Sequence, residues 1–237
     1  MSIRRLGAAI VAVACVVALT AVVRWRSDVE LPGQPVASVR GALIERGGVT
    51  AEIQESLQHS VLLVRSNGCG SSRQATATVI DHGGRPIGLT NQHVVTGSVA
   101  VSVDGMDDAV QVVGRVDGRD AVELDGDELV AGGARAMEVG PRPLLGAQVV
   151  VAGYPDGRFR AAAGHVRAIE QRQGYGGTAD VLIVDAEAVP GVSGGVVIDV
   201  QGRAVGLVAA RDPASSDVVA YPIDVIGRAT DTAVTPC

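Results

Sequence analysis

The stretch "VPGVSGG", Val189 to Gly195, sets one serine among glycines immediately before the apolar run "VVIDV". A neutral serine hydroxyl is a poor nucleophile near pH 7. Ser193 therefore acquires chemistry only if the fold brings it a base, and a third group that orients the base. Without those partners the same residues make a glycine-rich turn.

The order of residues along the chain separates the possibilities. "GVSGG" fits the G-x-S-x-G elbow of α/β-hydrolases, in which the histidine follows the serine. Here the four histidines, His59, His82, His93 and His165, all precede Ser193. The reverse order, His then Asp then Ser, can be filled. "LTNQHVVTG" places His93 at the end of an apolar strand, and "DGRDAVEL" places Asp120 at the start of another, 27 residues later. Asp117 competes for the acid's place, as do Asp125 and Asp127 in "ELDGDE", which reads as a solvated loop. Asp120 is preferred because "AVEL" resumes a strand directly after it. His59 on a short helix, His82 in the turn "DHGG" and His165 in a strand read as structural.

Working outward, the body is a series of short valine-rich segments: "SVLLVRS", "ATATVID", "VAVSVDG", "VQVVGRV", "AQVVVAGY", "GHVRAIEQ", "DVLIVDAE", "VVIDVQG" and "AVGLVAAR". Turn material such as "DHGG", "DG" and "QG" separates them. No amphipathic helix of the length a parallel α/β sheet needs lies between them, so the pattern is all-β from about residue 58 to 225. One short helix is expected in "TAEIQESLQHS", where Ile53 and Leu57 share a face. Hydrophobic residues make up 47% and aromatics 2% of the chain, so the core must be built from Val, Ala, Leu and Ile. All 20 basic residues are arginine, against 26 acidic residues and a net charge of −6. With no basic cluster in the body, a nucleic-acid surface is excluded.

The amino-terminal run Leu6 to Val23 is 18 residues without a charge, flanked by arginines at 4, 5, 24 and 26. At ~1.5 Å per residue it is about as long as the hydrocarbon core is thick. No small-x-small cleavage site closes it. The expectation is an uncleaved single-pass anchor at 6–23, after a cytoplasmic tail at 1–5. A Pro/Gly-punctuated stalk at 24–51 then leads to a domain at 52–237 on the extracytoplasmic side, secreted if the run is cleaved after all. Cys15 lies within the run, which leaves Cys69 and Cys237 either as a disulfide in an exported body or as two free thiols.

Four motifs in order carry a resemblance. "TNQHVV", "RDAVEL", "VAGYPDG" and "VDAEAVPGVSGGVV" resemble the corresponding motifs of trypsin-like serine proteases, in particular the HtrA-like branch and membrane-anchored actinobacterial proteases. The resemblance implies a chymotrypsin-like fold of two packed six-stranded antiparallel β-barrels and a serine endopeptidase acting on proteins or peptides, with no metal or cofactor. It assigns His93 as base, Asp120 as the orienting acid, Ser193 as nucleophile, and the N–H groups of Gly191 and Ser193 as the oxyanion hole. Glu187 would lie near the floor of the primary pocket, while Val192, Val208, Ala209 and Ala210 would line the substrate. "AVGLVAAR" would offer an edge to an extended peptide.

Four departures stand out. Val192 replaces a polar residue, Val196 a proline, "QATATVI" a Gly-Ser-Gly-rich strand, and Glu123 interrupts an apolar one. They keep a second expectation open, that of a catalytically silent protease-like domain serving as a peptide-binding or sensing module.

Overall fold

The structure is a computed structural model that describes residues 44–45, 48–174, 177–187 and 189–230, all within the unit Arg40–Cys237. The expected anchor and Cys237 lie outside the described residues. Among those described, no helix is long and apolar enough to cross a membrane.

Two short strands, β1 (Ile44–Glu45) and β2 (Gly48–Val49), pair antiparallel within the stretch expected as a plain stalk. Helix α1 (Ala51–Gln58) follows, with Thr50 Oγ1 accepting from the N–H of Ile53 and with Ile53 and Leu57 buried, as their spacing predicts.

The first barrel begins with β3 (Val61–Gly68) and β4 (Ser71–Asp81). They are joined by Cys69 and Gly70, both at positive φ, as a two-residue hairpin requires. The strands β5 (Pro86–Thr90), β6 (Ala100–Val103), β7 (Val110–Arg115) and β8 (Val122–Leu124) complete it in the order β3-β4-β5-β8-β7-β6, closing on β3. One-turn helix α2 (Gln92–Val95) follows β5, and α3 (Gly126–Ala131) follows β8. The acidic run expected as a loop is thus partly helical, because Asp125 caps α3 by accepting from the N–H of Glu128 at 3.0 Å.

The second barrel contains β9 (Gln148–Gly153), β10 (Arg160–Gly174), β11 (Gly177–Glu187), β12 (Val196–Asp199), β13 (Ala204–Arg211) and β14 (Asp217–Pro222). It closes in the order β10-β11-β14-β13-β12-β9. The segment "DVVAYP" of β14 is absent from the strands expected from sequence.

Each barrel has its own aliphatic interior, around Val64, Ala77 and Val79 in the first and Val151, Val184 and Val197 in the second. A third cluster with residues from both, including Val61, Leu89, Ala152, Val196 and Tyr221, packs them together. Because this seam must exclude water, the polar groups on it have to satisfy one another. Glu123, unexpected in an apolar strand, is buried and pairs with Arg228 at 2.8 Å, while the N–H of Ala229 donates to it at 2.9 Å. The chain beyond β14 thereby ties back onto the first barrel.

Candidate active site

His93 is not at the end of a strand but on α2, just after β5. Val94 and Val95 point into the first barrel and are buried, which turns the His93 ring to the open side. Asp120 lies in the turn before β8 with its side chain 4% exposed. Its two carboxylate oxygens are divided between one residue: Oδ1 accepts from the His93 backbone N–H at 3.0 Å, and Oδ2 lies 2.6 Å from His93 Nδ1. An ionised carboxylate only accepts, so this pairing puts the ring proton on Nδ1 and leaves Nε2 as the acceptor.

The backbone of Asp120 is held as well. Its carbonyl accepts from Asn91 Nδ2 at 2.7 Å, and its N–H donates to Tyr221 Oη at 3.3 Å. Tyr221 belongs to β14, and burial, the largest cause, raises its phenol above the ordinary value, so it remains protonated at neutral pH.

Ser193 lies in the loop between β11 and β12. Gly191 and Gly194 have φ of 94° and 80°, a region that favours glycine. Gly194 also has no room for a side chain, since a Cβ there would stand 2.0 Å from the Thr76 carbonyl oxygen and 2.5 Å from Thr90 Oγ1. Thr90 precedes His93 by three residues, so the serine loop abuts the segment that carries His93.

The carbonyls of this loop are all engaged. Pro190 O accepts from the Asp156 N–H at 3.3 Å, Gly191 O from Thr76 Oγ1 at 2.8 Å, Ser193 O from the Thr76 N–H at 2.9 Å, and Gly194 O from Thr78 Oγ1 at 2.9 Å. The N–H groups of Gly191 and Ser193, in contrast, take no acceptor among the described residues. The loop therefore presents two N–H donors beside a serine hydroxyl.

Strand β13 pairs with β12 only as far as Leu207. Val208 then exchanges hydrogen bonds with Gly194 and Gly195, and a bulge at Ala209 interrupts the pairing with β14. Beyond it, Ala209 to Arg211 present an edge with no strand partner on the β12 side among the described residues. Ala210 is exposed there, whereas Ala209 is buried. The side chains of Val192 and Val208 instead pack in the second barrel's interior, so neither lines an open groove as expected. Glu187 is the last residue of β11, in register with Asp217.

The competing acids lie elsewhere. Asp117 is in an exposed turn, Asp125 caps α3, and exposed Asp127 faces Arg85 at 3.7 Å. His59 closes α1, and His82 is in a turn. His165 forms a second His–Asp pair, exposed, with Asp185 on β11. Cys69 is in the β3–β4 turn.

Sequence reasoning missed Asn91, Thr76, Thr78 and Tyr221. The threonines carried a legible signal: in β4 they are two polar residues two apart, on one face of a strand whose residues Ala75 to Ile80 are all buried.

Residues 75–207 match the trypsin-like peptidase domain. The chain belongs to the trypsin-like peptidase family. It is 32% identical over 217 residues to the serine protease Rv3671c of Mycobacterium tuberculosis, which covers 83% of this chain and 51% of that protein. The chain thus spans about half the length of the curated relatives it matches. The crystal structure of the Rv3671c protease in its active form superposes with a TM-score of 0.66 at 25% identity, covering 83% of this chain and 92% of that one. The HtrA-type protease AlgW with tripeptide shares the fold, with a TM-score of 0.61 at 22% identity over 75% of this chain and 61% of that one. This trypsin-like domain has the two closed antiparallel barrels expected from the sequence.

Proposed function

We propose that the protein is a serine endopeptidase that hydrolyses peptide bonds in protein or peptide substrates. The observation that carries the reading is the buried Asp120 carboxylate holding both the backbone and Nδ1 of His93, which leaves Nε2 ready to accept a proton. Ser193 Oγ attacks the peptide carbonyl carbon while His93 Nε2 takes its proton. The negative charge that develops on the carbonyl oxygen is met by the N–H groups of Gly191 and Ser193, which stabilise it more than they stabilise the ground state. As the C–N bond breaks, His93 returns the proton to the leaving amine. Water then cleaves the acyl-enzyme by the same steps. An extended substrate lies along the open edge at Ala209 to Arg211, with Glu187 near its primary side chain.

The same reading places the protease domain at 52–237, on the extracytoplasmic side of a membrane that residues 6–23 span. A disulfide between Cys69 and Cys237 belongs to the same reading, since an exported body lies in an oxidising compartment. Mapping of non-reduced peptides by mass spectrometry is expected to recover that pair, and two alkylatable thiols would refute it.

The test of activity is labelling of the full chain, in detergent, by a fluorophosphonate. Labelling is expected for the wild type, absent in Ser193→Ala, and reduced by several orders of magnitude in His93→Ala. A folded but unlabelled wild type would overturn the reading in favour of a binding module.

A further inference from the structure

The two residues whose N–H groups face the developing charge have their carbonyls held by a single residue, Thr76. Its backbone N–H donates to Ser193 O at 2.9 Å and its hydroxyl to Gly191 O at 2.8 Å. The same hydroxyl accepts from the Tyr154 N–H at 2.8 Å, and the Thr76 carbonyl accepts from Thr90 Oγ1 at 2.7 Å. Thr76 is fully buried, so none of these contacts exchanges readily with water. It links four segments: the serine loop, the turn after β9, the end of β5 that leads to His93, and its own strand.

We infer that Thr76 is a positioning residue that fixes the oxyanion hole of this protease through its hydroxyl. The inference rests on the endopeptidase reading above. Gly191, with no Cβ, has access to much of backbone conformational space, and its N–H is catalytic only if it points outward. Two planar peptide units meet at Gly191. The upstream one is held at Pro190 O by the Asp156 N–H; because N–H and C=O of a trans peptide point in opposite directions, the Gly191 N–H faces away from that contact. The downstream unit is held at Gly191 O by the Thr76 hydroxyl. With both planes fixed, the torsions between them are fixed too.

The departures at Val192 and in "QATATVI" then become one device. Val192, buried and apolar, offers the loop no polar side chain, and the hydroxyls of Thr76 and Thr78 tie the loop from β4 instead. A glycine at position 76 or 78 would leave the corresponding hydroxyl bond unmade.

Thr76→Val keeps the shape and the backbone N–H of residue 76 and deletes only the hydroxyl. The experiment measures fluorophosphonate inactivation of the full chain, separating the maximal rate from probe affinity, together with thermal unfolding. Thr76→Val is expected to lower the maximal rate about 100-fold, the scale of losing one oxyanion donor, with affinity unchanged. Thr76→Ser, which restores a hydroxyl, is expected to return to within about threefold of wild type by the same measure. If Thr76→Val does not fold, Thr76→Cys, a weaker donor of similar size, is expected to give a maximal rate below that of Thr76→Ser and above the roughly 100-fold loss expected for Thr76→Val. A maximal rate unchanged in Thr76→Val, or in Thr76→Cys where that variant is needed, overturns the inference, and so does a Ser variant as slow as Val. An unlabelled wild type overturns the endopeptidase reading instead, so the two failures are told apart.

Discussion

The two halves of the candidate site are held by opposite means. In the first barrel, functional side chains are fixed by other side chains and by their own backbone: Asp120 grips His93, and Asn91 and Tyr221 grip Asp120. In the second, the functional groups are largely backbone N–H donors, fixed because hydroxyls and amides from elsewhere hold the carbonyls beside them. The first arrangement depends on the identity of the Asp120 carboxylate that touches His93 directly, and the second on groups of β4 and of the turn after β9 that touch only the carbonyls.

Asp120→Asn gives the largest way to break this contrast. It keeps the shape of the acid but presents an amide that no longer fixes the proton on Nδ1, so kcat is expected to fall about 10⁴-fold, as in the general triad template. Thermal unfolding should change far less. If activity survives, the first barrel's half of the site does not work through the ring tautomer at all.

The same contrast explains what could be read from the chain. Ser193, His93 and Asp120 could be proposed from the chain because a nucleophile, base and acid need particular side chains in a workable order. The valine-rich runs announced the barrels, but β14 escaped because "DVVAYP" runs directly into a proline, a residue that reads as a strand breaker. Tyr221 lies in that strand, so its contact with Asp120 was hidden too. Thr76 and Thr78 read as departures, since their value comes from carbonyls 115 and 116 residues away. Glu123 likewise looked like an interruption until the chain after β14 supplied Arg228 and the Ala229 N–H.

Gly194 and Gly202 allow the seam to be weighed on its own. Their φ values are 80° and 81°, but an added Cβ at Gly202 meets nothing within 4 Å, whereas at Gly194 it would strike the Thr76 carbonyl. Gly202→Ala should cost only the backbone strain, about 1–2 kcal/mol. Gly194→Ala adds a steric clash with fixed backbone and is expected to destabilise by ~3 kcal/mol or more, with most labelling lost. Equal losses in chemical denaturation would mean that the loop moves away from β4 freely and that the seam does not hold it.

Asp212 supplies the smallest and most specific comparison, because it is a second-barrel residue anchored in the manner of the first. It follows β13, beside the open edge at Ala209 to Arg211. It accepts from Arg172 of β10 at 2.6 Å and from the N–H groups of Ala214 and Ser215 at 2.7 and 3.2 Å. The Arg172 guanidinium, followed by the Ala214 N–H, lowers the pKa of this carboxyl below the ordinary value. A group whose pKa is depressed on folding stabilises the fold above its unfolded pKa, about 3.9, and loses that contribution as pH falls through the folded value. Asp212→Asn should therefore be less stable than wild type by a constant margin from pH 5 to 7, with the margin shrinking below about pH 4. Urea unfolding at stepped pH values would follow it, and a margin independent of pH would show that the loop is held by shape alone. If the loop shapes the substrate edge, the same variant should raise KM while leaving kcat nearly unchanged, because Asp212 contacts neither the His93–Asp120 pair nor the carbonyls that Thr76 holds.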